Sequence, residues 1–363
     1  MIEVNGELMS KDKAIAKIDT GLIISCDPEQ LPLFLLRTKD FEQWLQDRAI
    51  DSHRTNSRIL KRALRLATDD DAELVLNVHA ATITDTYWFR EDGSSLTYDD
   101  IRFKANYFDK LALTGDPDSF NLEYSSTPEL TNIGSFEKCW RLEDGKWWMV
   151  KQGNDLERFS ELFIAKLGYA LGFPMAEYYA ENGTVLSPDF TNGASVNYES
   201  AHGIVGDDED YKLNFDAFSK LSPALAKQYL EIIYLDAICF NMDRHTRNYG
   251  ILRDVETGAI LGMAPNFDNN IALFARGIPK GITRENDRLV FLFCDFLKKD
   301  KKALEQAAKL PVPTEDMIKL CTQGITLPVD LETLTAFIMN GSNRIQAMLS
   351  ASAENKETSE IVK

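Results

Sequence analysis

At 363 residues, 44 % of them apolar and 27 % charged, the chain is long enough to bury a substantial core, in two or three domains or in one two-lobed domain with an extension. Its formal net charge of -17 argues against broad electrostatic adhesion to nucleic acid or to an anionic membrane, while leaving room for a local basic patch. Five scattered cysteines with no C-x-x-C pair read as reduced core thiols, and neither a basic, apolar leader nor a run near the ~20 apolar residues of a membrane span is present, so a cytoplasmic protein is expected.

Residues 1–120 form an extension of unassigned fold. Helices are expected over Glu29–Leu36, Thr38–Leu45 and Ser57–Leu66. The last has an apolar face of Ile59, Leu60, Ala63 and Leu64, opposite Arg54, Arg58, Lys61, Arg62 and Arg65. That basic face reads as solvated and offset by Asp69, Asp70 and Asp71 rather than as a site for RNA or an acidic partner. Leu74–His79 and Ile83–Phe89 are apolar runs able to pair or pack. His53, His79 and His202 share no metal-ligand spacing.

From Ser125 the pattern changes. Asp144-Gly145 lies between two aromatic-rich runs, and both residues tolerate positive φ, so a hairpin is predicted there. The loop around Gly134-Ser135 precedes it and Lys151 ends its second strand, where an ammonium can supply a point charge to a bound phosphate. A helix follows, with Leu156, Phe159, Phe163, Leu167 and Leu171 on one face, Asp155 at its start and Gly172 and Pro174 to stop it. A second hairpin turns at Asn182-Gly183, between Met175–Ala180 and Thr184–Leu186. Beyond Phe215 helices are expected over Ser222–Phe240, Asp300–Ala308, Thr314–Cys321 and Asp330–Leu349, before a Ser-, Glu- and Lys-rich disordered tail at 350–363.

Two polar loops break this helical stretch. Asp243-Arg244-His245-Thr246-Arg247-Asn248 follows the apolar run Gln228–Phe240, and Pro265-Asn266-Phe267-Asp268 follows a hairpin of Tyr249–Leu252 and Ile260–Met263 that turns near Thr257-Gly258. An Asp followed five residues later by Asn is the spacing of a kinase catalytic loop, in which Asp takes the acceptor's proton and Asn ligates metal. A later loop Asp is the second metal ligand. Asp243, Asn248 and Asp268 satisfy this pattern together, although the Asp and Asn pair alone is an ordinary combination for a polar turn.

These two loops resemble those of the HipA-like kinases, whose catalytic loop reads Asp-x-His-x-x-Asn; the Asp-Arg-His portion is also similar to phosphatidylinositol kinases. The resemblance covers roughly residues 125–345 and implies an α+β, two-lobed protein-kinase-like fold: an N-terminal extension (1–120), a β-rich small lobe (121–191) and a helical large lobe (192–349). It implies an ATP- and Mg²⁺-dependent serine/threonine kinase in which Lys151 clamps phosphate, Glu161 orients Lys151, Asp243 is the catalytic base, His245 bonds phosphate or the loop backbone, and Asn248 and Asp268 hold metal. Glu161 is chosen on the family's Glu-before-Leu-Gly pattern, with Glu157 the alternative one turn earlier. Gly134 and Ser135 match the family's short phosphate loop, Ser135 being a candidate for self-phosphorylation, and Ser187 to Thr191, with Phe190, match the segment offered to adenine. The resemblance further implies a protein acceptor of the translation-factor kind and an antitoxin partner. No helix-turn-helix is visible, so direct binding to DNA is not expected. Two other readings stay open: a lipid or small-alcohol kinase, and a non-catalytic pseudokinase, which the intact set Lys151, Asp243, Asn248 and Asp268 disfavours.

Overall fold

The computed structural model describes residues 2–66, 68, 70–279 and 281–361, those from 353 on by backbone alone. The chain divides into two compact units, residues 1–152, 179–204 and 250–264 forming one and residues 153–178, 205–249 and 265–363 the other. This grouping cuts across the boundaries read from sequence: the helix after Lys151 belongs to the second unit and the hairpin between the two polar loops to the first.

The first unit opens with a sheet that the sequence reading left unassigned. Strands β1 (Gly6–Ser10), β2 (Lys13–Asp19) and β3 (Leu22–Cys26) are joined by β4 (Tyr87–Glu91) in the order β3-β2-β1-β4, all antiparallel. Leu8, Ile15, Ile18 and Phe89 from this sheet share a core with Phe34, Leu35, Phe41, Trp44, Leu60 and Leu74. The three expected helices appear with shifted ends, α1 (Leu33–Thr38), α2 (Phe41–Gln46) and α3 (Ser57–Ala63), and a fourth, α4 (Asp71–Leu76), overlaps the apolar run from Leu74 that the sequence left undecided. Side-chain caps set two of the starts, Asp40 accepting from the Gln43 amide and Asp70 from Ala72 and Glu73. On the basic face of α3, Arg58 and Arg62 are exposed, whereas Arg54 is buried; Asp69 lies outside the described residues. Two short helices follow, α5 (Tyr98–Ile101) and α6 (Asp109–Thr114).

All three predicted hairpins form. β5 (Lys138–Glu143) and β6 (Lys146–Lys151) turn at Asp144-Gly145 with φ of 49° and 74°, and β7 (Tyr179–Glu181) and β8 (Thr184–Pro188) turn at Asn182-Gly183; the sheet order is β5-β6-β8-β7. A third sheet sets β9 (Asn197–Ser200) beside the hairpin of β10 (Gly250–Arg253) and β11 (Ile260–Met263). Arg253 and Glu199 join β10 to β9 by a buried ion pair of 2.6 Å, in which Glu199 also accepts from Tyr87 Oη at 3.0 Å and Arg253 donates to the Leu31 carbonyl at 2.9 Å. The turn of that hairpin requires glycine: Gly258 has φ +72°, and a Cβ there lies 1.9 Å from the Glu29 carbonyl oxygen.

The second unit is helical: α7 (Asp155–Ala170), α9 (Tyr211–Leu221), α10 (Pro223–Cys239), α11 (Arg288–Lys299), α12 (Lys301–Ala307), α13 (Glu315–Cys321) and α14 (Leu331–Ile361). The short α8 (His202–Val205) contains the point where the chain passes from one unit to the other. Every residue of α10 from Tyr229 to Cys239 is buried, which is why this helix reads as apolar on all sides. Composition predicts a disordered tail from residue 350, but the backbone of α14 stays helical to Ile361; residues 362 and 363 lie outside the described residues. Among the described residues no helix is long and apolar enough to cross a membrane, and all five cysteines are free thiols.

Replacing Arg253 by Leu leaves Glu199 as a buried carboxylate without its cation. We expect a loss of about 3–5 kcal/mol in unfolding free energy. Urea denaturation measures it, and a loss under about 1 kcal/mol contradicts the burial of this pair.

Candidate active site

The site in the second unit starts where α10 ends. Phe240 adopts φ +56° and turns the chain out of the helix, while Asp236, on the last helical turn and 1 % exposed, remains beneath the loop that follows. A carboxylate so deep in an apolar helix needs a cation. Arg244 supplies it, with Nε to Asp236 Oδ2 at 2.9 Å and Nη2 to Oδ1 at 3.0 Å. The same guanidinium donates to the carbonyls of Asn248 (2.7 Å) and Phe267 (2.8 Å) and to the side-chain oxygens of Asn266 (2.9 Å) and Asn269 (2.7 Å). Burial acts to lower the Arg244 pKa, but Asp236 outweighs it and holds the group above the usual arginine value. Asn241 adds a bond to Asp236 (2.9 Å) and another to Asn269 (3.3 Å), and the Met242 amide donates to the Ile271 carbonyl (3.1 Å). The two polar loops of the sequence are thus tied into one piece.

On this piece sit Asp243, His245, Asn248 and Asp268. The His245 amide bonds the Asp243 carbonyl (3.0 Å) and the Asn248 amide bonds the His245 carbonyl (2.9 Å), giving a tight loop. Asn248 Nδ2 donates to the Asp243 carbonyl at 3.0 Å, which leaves its oxygen as the atom a cation meets. Asp268 takes φ +61°, uncommon for a residue with a Cβ, and its amide donates to Tyr178 Oη at 3.1 Å. Burial raises the Asp243 carboxyl above the ordinary aspartate value; the nearby Asp268 adds to this and the positive charge of Arg244 opposes it. Among the described residues no three acidic, histidine or cysteine side chains converge as a metal cage. Magnesium in a nucleotide site does not require one, since one or two carboxylates and phosphate oxygens suffice. Asn248 and Asp268 offer oxygen donors, with the Asp243 carboxyl close enough to Asp268 to feel its charge, and that donor set fits such an ion.

The two candidate glutamates on α7 separate clearly. Glu157 closes the capping box of the helix, bonding the Asn154 amide at 2.9 Å, and pairs with Arg276 at 3.6 Å. Glu161 is 1 % exposed and accepts the Asn269 amide at 3.0 Å, immediately after Asp268. The residue chosen from sequence is therefore the one attached to the second loop.

The remaining sequence candidates, Gly134, Ser135, Lys151 and Phe190, belong to the first unit. Lys151, 8 % exposed, ends β6 directly opposite Lys138 on β5. Residues directly opposed in an antiparallel pair share a face, so both lysines leave the end of this hairpin on the same side. Gly134 has φ +112°, and a Cβ on it lies 2.5 Å from Lys138 Nζ, so this amine lies against the glycine of the loop. Ser135 is exposed. Phe190 follows β8 in a turn shaped by Asp189, which accepts from the amides of Thr191 (2.9 Å) and Gly193 (2.7 Å). Lys138, Asp236, Asn266 and Asn269 escaped the sequence reading as site residues. Two of them had a signal: the Asp144-Gly145 turn counts outward to the pair Lys138 and Lys151, and Asp236 is a charge inside an apolar helical run.

No family model matches the sequence, and no curated protein matches it. Among solved structures, HipA of Shewanella oneidensis MR-1, from its toxin–antitoxin complex with HipB and operator DNA, is similar with a TM-score of 0.57 and 14 % identity, over 95 % of this chain and 97 % of that one. The Helicobacter pylori proinflammatory kinase CtkA is similar with a TM-score of 0.49 and 17 % identity, over 60 % of this chain and 95 % of that one. The chain has the mixed α and β, HipA-like kinase fold that its sequence predicts, strand-rich toward the N-terminus and helical toward the C-terminus.

The raised Asp243 carboxyl has a consequence for stability. A carboxyl with a higher pKa folded than unfolded binds its proton more tightly in the native state, so its ionisation costs stability as pH rises and costs nothing below the unfolded value. Asp243→Asn is therefore expected to be more stable than the parent at pH 7, with the gain shrinking toward zero near pH 3.5. Thermal unfolding across that range checks it, and a gain that does not change with pH counts against the effect.

Proposed function

We propose that this chain is an ATP- and Mg²⁺-dependent kinase of the HipA type that transfers a phosphoryl group to an alcohol. The observation that carries the reading is the tie between the two polar loops through Arg244 and Asn269, which collects Asp243, Asn248 and Asp268 at the end of one buried helix. In phosphoryl transfer, positioning and charge stabilisation supply most of the catalysis, so a stiff, pre-bonded loop pair suits the task. Asp243 orients the acceptor hydroxyl and takes its proton, while Asn248 and Asp268 hold the metal. Magnesium, when bound, neutralises charge on the transferring phosphates. Lys151 meets phosphate, Glu161 orients Lys151, Gly134 and Ser135 line the phosphate loop, Phe190 borders the adenine segment, and His245 bonds the loop backbone, its Nδ1 accepting the Arg247 amide at 3.3 Å.

A serine or threonine of a protein is the acceptor we favour, with a component of translation as its type. The Shewanella structure holds HipA with HipB and operator DNA. That complex supports an antitoxin-like partner for this chain and lends nothing to the expectation that the chain stays off DNA.

Asp243→Asn is expected to cut phosphotransfer from ATP by roughly 10²–10⁴-fold, the usual scale for loss of a general base, with nucleotide binding retained. Lys151→Ala is expected instead to weaken MgATP binding. Incubation with labelled ATP and a pool of cytosolic proteins reads both, and transfer by Asp243→Asn at the parent rate refutes the assignment. Mass spectrometry of the chain after incubation with MgATP is expected to find phosphate on Ser135; its absence removes that residue as a self-modification site.

A further inference from the structure

The loop carrying Gly134, Ser135 and Lys138 has little packing of its own: Ile133 is 43 % exposed, Ser135 is exposed, and Gly134 needs a positive φ. Its shape is held from outside, by residues some eighty positions earlier. Arg54, its side chain 1 % exposed, donates Nη1 to the Asn132 carbonyl at 2.8 Å and Nη2 to the Lys138 carbonyl, so one guanidinium spans both ends of the loop. Beneath it lies Glu129, fully buried, with Oε2 at 3.9 Å from Arg54 Nη2. Glu129 Oε2 accepts Asn132 Nδ2 at 2.8 Å, and Oε1 accepts the Trp140 amide at 2.6 Å and Asn106 Nδ2 at 2.8 Å. The half-buried Glu137 repeats the arrangement: its carboxylate takes the Thr55 amide at 2.6 Å and Asn56 Nδ2 at 3.1 Å, and Asn56 Nδ2 also reaches the Ala112 carbonyl at 3.1 Å.

We infer that Arg54, Asn56 and Glu137, working with Glu129, form a brace that sets the conformation of the 132–138 loop, and that they are positioning residues for the anion this loop receives. Three features of the geometry support it. The Arg54 contacts fall on the two ends of the loop, where a change of angle moves everything between them. The Lys138 carbonyl that Arg54 holds belongs to the residue directly opposite Lys151, so the brace also sets the strand end beside that lysine. A buried pair of this kind adds little stability over apolar packing, so its use in fixing geometry is the property that distinguishes it. The brace also gives the N-terminal segment a mechanical hold on the nucleotide loop. The inference rests on the reading of that loop as a phosphate site.

Removing Arg54 strands Glu129 and risks unfolding, so the test uses the half-buried Glu137. With the full-length protein we expect Glu137→Ala to raise the Kd and the KM for MgATP by about tenfold, as the loss of one or two hydrogen bonds implies, with a smaller effect on kcat. Amide hydrogen exchange at 133–138 is expected to speed up, and Glu137→Gln, which keeps an acceptor, to recover part of both effects. Lys151→Ala serves as the comparison, weakening MgATP binding with loop exchange unchanged. If Lys151→Ala weakens binding while Glu137→Ala alters neither Kd nor exchange, the brace is wrong and the nucleotide loop stands. If the wild-type protein binds no MgATP, the kinase reading fails and takes the positioning role with it.

Discussion

One guanidinium fixes the arrangement on which the second unit's chemistry depends. Arg244 lies under the loop that contains it and bonds both oxygens of Asp236, two backbone carbonyls and two asparagine side chains. Taking such a charge out of water is costly, and the cost is offset only because Asp236 and the carbonyl oxygens leave no donor unmet. The result is specificity of shape. A loop held by an apolar contact can slide, whereas one held by six directed bonds to a planar group has a single geometry.

That construction places most of the bonding between the loops on residues other than the candidate site side chains. Asp236, Asn241, Asn266 and Asn269 do the bonding, and Asp243, Asn248 and Asp268 are carried on top. Asp243 and Asp268 repel each other, and Asp268 accepts a left-handed backbone. Both features cost stability in the protein alone and suit a place that receives a divalent ion, the usual signature of a site tuned for function. The glutamates of α7 show the same division: Glu157 caps the helix, whereas Glu161 reaches the amide next to Asp268.

Much of the fold near the candidate residues was legible. The Asp144-Gly145 and Asn182-Gly183 hairpins are local events, decided by two residues that tolerate positive φ, and they form where expected. Helices α7 and α10 follow from a cap or an apolar run that needs no distant partner to be read. The opening sheet was missed because β1, β2 and β3 are only partly apolar and β1 completes its pairing with β4, about eighty residues away. Strand β9 was missed for the same reason: four residues acquire their state from β10. Composition also led to a disordered tail where the backbone of α14 continues as helix.

The sequence by itself determined which chemical groups this protein can bring to bear: Asp and Asn at a fixed spacing after an apolar helix, a second loop aspartate, a lysine closing a hairpin, and the turns that place each of them. These are local facts, because turn residues, caps and helical periodicity act over a few positions. Tertiary structure alone decided that Arg244 welds the two polar loops together and that residues 54–56 hold the loop around Gly134. Such contacts join positions far apart in the chain, and a buried charge finds its partner only when folding has removed water from both.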